Sequence, residues 1–298
     1  MKVAQIFHNT NAGHGILSKK ELLSLIAAAG YEAIYSAVKK GKLPEFDNNA
    51  DFVVAAGGDG TINKVVKKVL KRKILDRQLP VAIIPLGTAN NLNITLQERQ
   101  DLKEILESWH AGHTKRFDVG VVTCSTDQTP FIEGVGVGLI PLLIREMSKH
   151  KEADDLPPAE QISFALRLLR DIARTFRPQE CKVVIDGVDY TGKYLAVEIM
   201  NIRSVGPRLD MNPDGDVGDG KHDVVLIRDV DREQFEAYVT AKINGTDVPL
   251  GIMPIRAASV DISWSGTHAH IDDKVIKDIF PMRLITELRP GPVSFLVP

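Results

Sequence analysis

The stretch "DFVVAAGGDGTINKVVKKVL" (51–70) restricts the fold more than any other part of the chain. A short apolar run, Phe52–Ala56, ends in Gly57, Gly58, Asp59 and Gly60 and passes directly into an amphipathic segment. From Ile62 the residues Val65, Val66, Val69 and Leu70 recur at helical spacing, and Lys64, Lys67, Lys68 and Lys71 fall on the opposite side. An apolar run without alternation reads as a strand buried on both faces, which calls for a parallel sheet covered by helices. At the handover from strand to helix, glycines let the chain turn sharply, and the first helical amides and the helix dipole favour an anion. The same residues also suit a plain strand–helix turn capped by Asp59 or Thr61, and the motif by itself leaves the two readings level.

A second loop tilts that balance. "IIPLGTANNLN" (83–93) again follows a buried strand and offers Gly, Thr and Asn at a helix start. Loops at the ends of consecutive parallel strands face a shared crevice, the place where open α/β sheets take ligands. The rest of the first third keeps the alternation. "VAQIFH" (3–8) and "EAIYSAV" (32–38) read as strands. "SKKELLSLIAAAG" (18–30) reads as a helix opened by a Ser18/Glu21 capping box and stopped by Gly30. A further helix over 101–110 sets Leu102, Ile105, Leu106 and Trp109 on one side.

The texture changes near residue 115. "RFDVGVVTC", "PFIEGVGVG", "CKVVIDGVDYTGKYLAVEIMN", "DVVLIRDV", "ASVDISW" and "HAHIDD" read as strands, with Asp186-Gly187 a hairpin turn. Helices interrupt them near 139–150, 158–177 and 231–243. The expectation is two domains: an α/β nucleotide-binding domain over 1–114 to which a C-terminal strand, 289–298, returns, and a β-rich domain over 115–288. With 298 residues, 44% hydrophobic and 26% charged, each can bury its own core. A net charge of −2 argues against nucleic acid as a partner. Cys124 and Cys181 lack metal or redox spacing and suit a reducing compartment. Without a signal-peptide pattern at the N-terminus or a bilayer-length apolar run, the expected location is cytoplasmic, with peripheral contact at the inner face of the membrane.

"GGDGTIN" (57–63) followed by "PLGTANN" (85–91) resembles the diacylglycerol kinase catalytic family, which includes bacterial lipid kinases and sphingosine kinases. The first motif alone is also similar to NAD kinases and phosphofructokinases. "HNTNAG" (8–13), "VGPRLDMNPDGDVGDGKHDVVLI" (205–227), "HAHIDDKVI" (268–276) and "GPVSFLVP" (291–298) extend the resemblance along the chain. It implies an NAD kinase-like fold, an open parallel-sheet α/β domain plus a β-sandwich-like domain, with ATP in the cleft between them. It implies ATP-dependent phosphorylation of a lipid hydroxyl with Mg²⁺. Carried over by position, Asn9, Ser36, Gly57, Gly58, Asp59, Gly60, Thr61, Ile62, Asn63, Gly87, Thr88, Asn90 and Asn91 line the nucleotide. Asp59 acts by way of Mg²⁺ and the phosphates. Asp272, with Asp273 beside it, falls on the catalytic motif as the base that takes the hydroxyl proton.

The acidic loop "PDGDVGDGKHD" (213–223) reads by composition as a solvated turn or a hard-cation site. The resemblance places a structural Mg²⁺ or Ca²⁺ there, on Asp219 and the carbonyls of Asp216 and Lys221. Basic stripes, Lys64/Lys67/Lys68/Lys71 and Arg167/Arg170/Arg174/Arg177, read as solvated helix faces or as contacts to anionic headgroups at a membrane surface, and a homodimer is left open. Five positions depart from the family pattern: Thr10 for Pro, Lys64 for Glu, Asn91 for Asp, Asp273 for Gly and Lys274 for Glu. Lys64 is expected in the first helical turn, where a cation opposes the dipole. These changes motivate two alternatives, a kinase of a soluble substrate such as NAD and a nucleotide-binding regulator with weakened catalysis.

Overall fold

The structure is a computed structural model that describes residues 1–15, 17–39, 42–73, 76–97, 101–276 and 282–298. Two compact units emerge, Met1–Phe117 with Gly291–Pro298, and Asp118–Pro290.

The first unit runs β1 (Val3–His8), α1 (Lys19–Ala28), β2 (Glu32–Ala37), β3 (Phe52–Gly57), α2 (Asp59–Val69), β4 (Val81–Pro85), α3 (Asn91–Leu96) and α4 (Leu102–Ser108). Strands β4, β3, β1 and β2 lie side by side and parallel. Alternate strand residues Ala4, Ile6, Val54, Ala56, Ala82 and Ile84 pack with Leu22 and Ile26 of α1 and Ile105 and Leu106 of α4. The intervening residues Val53, Ala55 and Ile83 are just as buried, as are Ile62, Val65 and Val66 of α2. Both faces are therefore covered, which is why these strands carry no polar alternation. The Ser18/Glu21 capping box forms as read, with the Glu21 amide on Ser18 Oγ at 3.3 Å and the Ser18 amide on Glu21 Oε2 at 2.8 Å. Gly30 follows in the left-handed region, φ +80°. His110 stacks on Tyr31 with ring centroids 4.8 Å apart, a structural role.

The chain leaves this unit within β5 (Thr114–Cys124) and continues through β6 (Asp127–Phe131), β7 (Gly134–Gly138), α5 (Leu139–Met147), α6 (Pro158–Thr175), β8 (Gln179–Ile185), β9 (Val188–Asp189) and β10 (Gly192–Met200). Then come β11 (Ser204–Val205), β12 (Leu209–Asp210), β13 (His222–Arg228), α7 (Arg232–Ile243), β14 (Ile255–Ala257), β15 (Ser259–Trp264), β16 (Ala269–Ile271), β17 (Lys274–Ile276) and β18 (Met282–Leu296). The end of β18 returns to the first unit, where Phe295 pairs in parallel with Val81. In the second unit the ladder β17-β16-β7-β10-β8-β15-β18 is antiparallel throughout, and β13 and β14 branch from β10. Its two faces bury different partners. Val197 and Ile199 of β10 join an all-strand core with Val135, Val183 and Ile262. Leu195, Ala196 and Met200 pack beneath α5, α6 and α7.

Two segments read as single strands are broken. "PFIEGVGVG" divides at Ile132–Glu133, between β6 and β7, and "HAHIDD" stops at Ile271, after which Asp272 turns left-handed at φ +52°. The amides of Ile132 and Glu133 donate to the Asp272 carboxylate, so backbone groups at one break are satisfied by the side chain at the other. Lys64 is also displaced from its expected position. Since α2 begins at Asp59, Lys64 is its sixth residue, exposed and past the first turn, and the conflict with the dipole disappears.

Candidate active site

In the first unit, the loops that follow β1, β3 and β4 interlock at the C-terminal ends of the strands. Gly57 ends β3, where a Cβ would run into the Thr61 side chain, 2.6 Å from its Cβ. Gly58 is the N-cap of α2 and brings no side-chain oxygen to the first amides of that helix. Asp59, the first helical residue, turns its carboxylate to the second loop instead, accepting the Asn91 amide on Oδ2 and the Leu92 amide on Oδ1, each at 3.0 Å. Asp59 thus caps α3 rather than its own helix. Desolvation raises its pKa, and the amides of Leu92, Asn91 and Asn90 pull against that rise.

The second loop is braced from within. Asn90 sits in the left-handed region at φ 54°, and its side-chain amide closes a ring with Gly87, accepting from Gly87 N and donating to Gly87 O, both at 2.9 Å. The first loop joins through Asn9, whose amide donates to Thr61 Oγ1 at 3.3 Å and whose backbone donates to Ala56 O at 2.9 Å. The structure therefore gathers Asn9, Gly57, Gly58, Asp59, Thr61, Gly87, Asn90 and Asn91 into one set of contacts. Gly60 and Thr88 are half-buried members of the same loops. Ile62 and Asn63 differ: they are 0% and 6% exposed and belong to the buried side of α2. Ser36 is buried on β2, where it accepts from Gln5 Nε2 at 3.2 Å.

In the second unit, Asp272 is 5% exposed and held on three sides. Its amide donates to Gly134 O at 2.8 Å, its Oδ1 accepts from Ile132 N at 3.0 Å and Glu133 N at 2.9 Å, and its carbonyl meets His270 Nδ1 at 2.8 Å. Asn201 braces the same segment, donating from Nδ2 to Ile132 O at 3.2 Å and Asp118 O at 2.8 Å. Asp273 and Lys274, by contrast, are exposed. The motif reading missed Glu198, His270 and Asn201. A signal for the first two was present: Glu198 is the lone carboxylate in the apolar run "YLAVEIM", and His270 shares a strand face with Asp272 by the two-residue repeat.

Carboxylates of the acidic loop are engaged within the protein. Asp219 Oδ2 is taken by the Arg256 guanidinium and Oδ1 by the Lys221 amide at 2.9 Å. Asp216 Oδ1 accepts from Gly218 N at 3.2 Å, and Asp223 Oδ2 from Asn212 Nδ2 at 2.7 Å. Among the described residues no group of three or more His, Cys, Asp or Glu side chains is arranged to hold a metal ion. The Arg256 guanidinium thus stands at the Asp219 carboxylate that was expected to hold a structural Mg²⁺ or Ca²⁺ together with the carbonyls of Asp216 and Lys221.

The basic stripes are partly neutralised as well. Lys68 pairs with Glu45 at 2.8 Å and lies over the Phe46 ring, and Arg174 pairs with Glu236 at 3.1 Å. No described helix is long and apolar enough to cross a membrane.

Residues 4–122 match the diacylglycerol kinase catalytic domain, and residues 147–297 match the YegS C-terminal NAD kinase beta sandwich-like domain. A diacylglycerol kinase of Bacillus subtilis (strain 168) is 27% identical over 262 residues, spanning 83% of this chain and 81% of that protein. A diacylglycerol kinase of Staphylococcus aureus (strain JH9) is 29% identical over 127 residues, 40% of this chain and 39% of its own length. A crystal structure of a diacylglycerol kinase from Bacillus anthracis str. Sterne matches with a TM-score of 0.68 at 20% identity, covering 99% of this chain and 96% of that one, a likeness of fold.

Proposed function

The chain belongs to the diacylglycerol kinase catalytic-domain family, phosphotransferases acting on an alcohol group, and from that premise we propose that it transfers the γ-phosphate of ATP to the hydroxyl of diacylglycerol or a related lipid alcohol. The observation that supports the reading best is the interlock of the two glycine loops, with Asp59 tying α2 to Asn91 and Leu92. Such a construction keeps the amides at the start of α2 clear of side-chain caps, the environment a nucleotide phosphate needs.

In this reading the lipid oxygen forms a bond to the γ-phosphorus while the bond to the β–γ bridging oxygen breaks and ADP leaves. The hydroxyl proton passes to the Asp272 carboxylate and from there to water. Two amide donors on Oδ1 fix the orientation of that carboxylate. Mg²⁺ arriving with the nucleotide supplies charge neutralisation, and no residue of the acidic loop is asked to hold it. A lipid substrate requires the protein to visit a bilayer surface, and in this reading it does so as a peripheral protein.

The test is transfer of labelled γ-phosphate to diacylglycerol, a sphingoid base and a polyprenol in mixed micelles, with NAD as the soluble comparator. Transfer to one of the lipids, lowered by a factor on the order of 10³ or more in Asp272→Asn, is the expected result. ATP binding without transfer to any lipid would end the reading, and transfer to NAD alone would replace it.

A further inference from the structure

We propose that Glu198 and His270 form a buried clamp that positions the Asp272 turn for phosphoryl transfer. The proposal rests on Asp272 being the base, and it assigns His270 and Glu198 roles as positioning residues that act through the Asp272 peptide.

The clamp spans three strands. In the ladder β16-β7-β10, Gly136 of β7 stands directly opposite both His270 of β16 and Glu198 of β10. Residues on alternate strands are about 10 Å apart across a sheet, so their side chains meet only if the middle residue leaves room. A Cβ at Gly136 would collide with the Glu198 carboxyl group. The absent side chain is what lets His270 Nε2 reach Glu198 Oε2 at 2.8 Å.

Protonation follows from the partners. A carbonyl can only accept, so His270 Nδ1 carries a hydrogen toward Asp272 O at 2.8 Å. Nε2 and Oε2 then share one further proton, as imidazolium with carboxylate or as neutral imidazole with carboxylic acid. Both hydrogen bonds survive in either form, and the pair is neutral in sum. Burial works against charge on Glu198 and pushes its pKa up, with His270 opposing. Burial alone would lower His270, but the Glu198 carboxylate and the Asp272 carbonyl carry it upward.

Both side chains are essentially without solvent exposure, 1% for His270 and 0% for Glu198. Their strand neighbours Ala196, Val197, Ile199 and Ala269 are buried and apolar. Replacing a buried ionisable pair with apolar residues of similar volume is often neutral or stabilising. Stability therefore gives a weak account of why such a pair stands here, whereas positioning gives a direct one. Asp272 is a non-glycine residue at φ +52°, a conformation that persists only when its surroundings hold it. The amide and Oδ1 of Asp272 are held by the neighbouring 132–134 segment, and its carbonyl is held from the core by the clamp.

The decisive variant is the double replacement Glu198→Leu/His270→Leu in the full chain, compared with Glu198→Gln and Asp272→Asn. The double variant is expected to melt no lower than the wild type, yet to lose kcat by a factor on the order of 10² with KM for ATP and lipid unchanged, as displacement of a reacting group predicts. Glu198→Gln, whose amide can donate to Nε2 while Nδ1 keeps its hydrogen, is expected to hold kcat within about threefold of wild type. Amide hydrogen exchange gives a readout independent of activity: the amides of Ile132, Glu133 and Asp272 should exchange at least about tenfold faster in the double variant, with β8 and β15 unchanged. A double variant with wild-type kcat, or with wild-type protection at those three amides, overturns the proposal. If Asp272→Asn retains wild-type transfer, the reading of the base fails, and the exchange result still decides whether the clamp holds the turn.

Discussion

Gly58 and Gly87 meet backbone to backbone: a Cβ built on Gly58 would lie 2.9 Å from the Gly87 Cα, closer than real side chains approach. This contact lets the loops after β3 and β4 close on each other, and Asp59 then bridges them from the next position in the chain. Alanine at residue 87 must push the loops apart, since the atom it meets is backbone and cannot rotate away. The expected cost is about 1–3 kcal/mol of stability. ATP affinity should fall at least about tenfold because the displaced amides are those proposed to face phosphate. A thermal melt of Gly87→Ala checks the first part and calorimetric titration with ATP the second. A lowered melting temperature with wild-type affinity would reduce the contact to a structural one.

Asp59 makes a graded prediction. Truncation to alanine leaves the amides of Asn91 and Leu92 at the start of α3 without their acceptor, at about 1–3 kcal/mol for buried groups that lose a charged partner. Asparagine keeps one oxygen and removes the buried charge whose desolvation raises the carboxyl pKa. Asp59→Asn should therefore melt above Asp59→Ala. Equal melting temperatures for both variants and the wild type would show that the bridge is not what holds the second loop.

The parallel α/β unit was legible because its signals are local. The runs at 3–8, 52–57 and 81–85 are strands with both faces buried, and Ser18, Glu21 and Gly30 bound the first helix as capping chemistry requires. The glycine loops were legible as loops, but what Asp59 does within them was not. Its choice of α3 over α2 depends on the packing of Gly58 against Gly87, a contact between residues 29 apart, by subtraction of their numbers. Asp272, the aspartate proposed as the base, could be singled out only through motif resemblance, and the pair beneath it needs strand register. Nothing in the sequence brings residue 198 beside residue 270 until both are set opposite Gly136. The guanidinium beside the acidic loop was not legible for a similar reason, because Arg256 lies 37 residues beyond Asp219.

His222 gives the fold an acid-sensitive point. The ring is fully buried, stacked on Phe131 with centroids 5.5 Å apart, and burial depresses its pKa from 6.5 to about 4. A depressed histidine binds its proton in the unfolded chain before the folded one. Its contribution is therefore complete above about pH 6.5 and is lost as pH falls from there toward about 4. The full loss is about 3 kcal/mol. Denaturant unfolding at pH 7.5 and pH 5 should show the wild type losing stability that His222→Phe, which cannot be protonated, retains. Equal losses in the two proteins would assign the acid sensitivity elsewhere.

The pairing of Arg256 with Asp219 predicts indifference to chelators. If the guanidinium already balances the Asp219 carboxylate, a cation has no charge to neutralise there, and none is needed to close the 213–223 loop. The nucleotide-free protein should keep its melting temperature within ~2 °C whether it is in EDTA, millimolar Mg²⁺ or millimolar Ca²⁺. Arg256→Ala should reverse this. With Arg256 more than half exposed and Asp219 only 20% exposed, the direct loss is modest, about 1 kcal/mol. The variant nevertheless leaves Asp219 without its guanidinium in a pocket also lined by Asp214 and Asp216, so its melting temperature should rise when Ca²⁺ is added. Differential scanning fluorimetry of the two proteins across the three conditions separates the cases. A wild type that loses stability in EDTA would mean that a cation, and not Arg256, holds the loop.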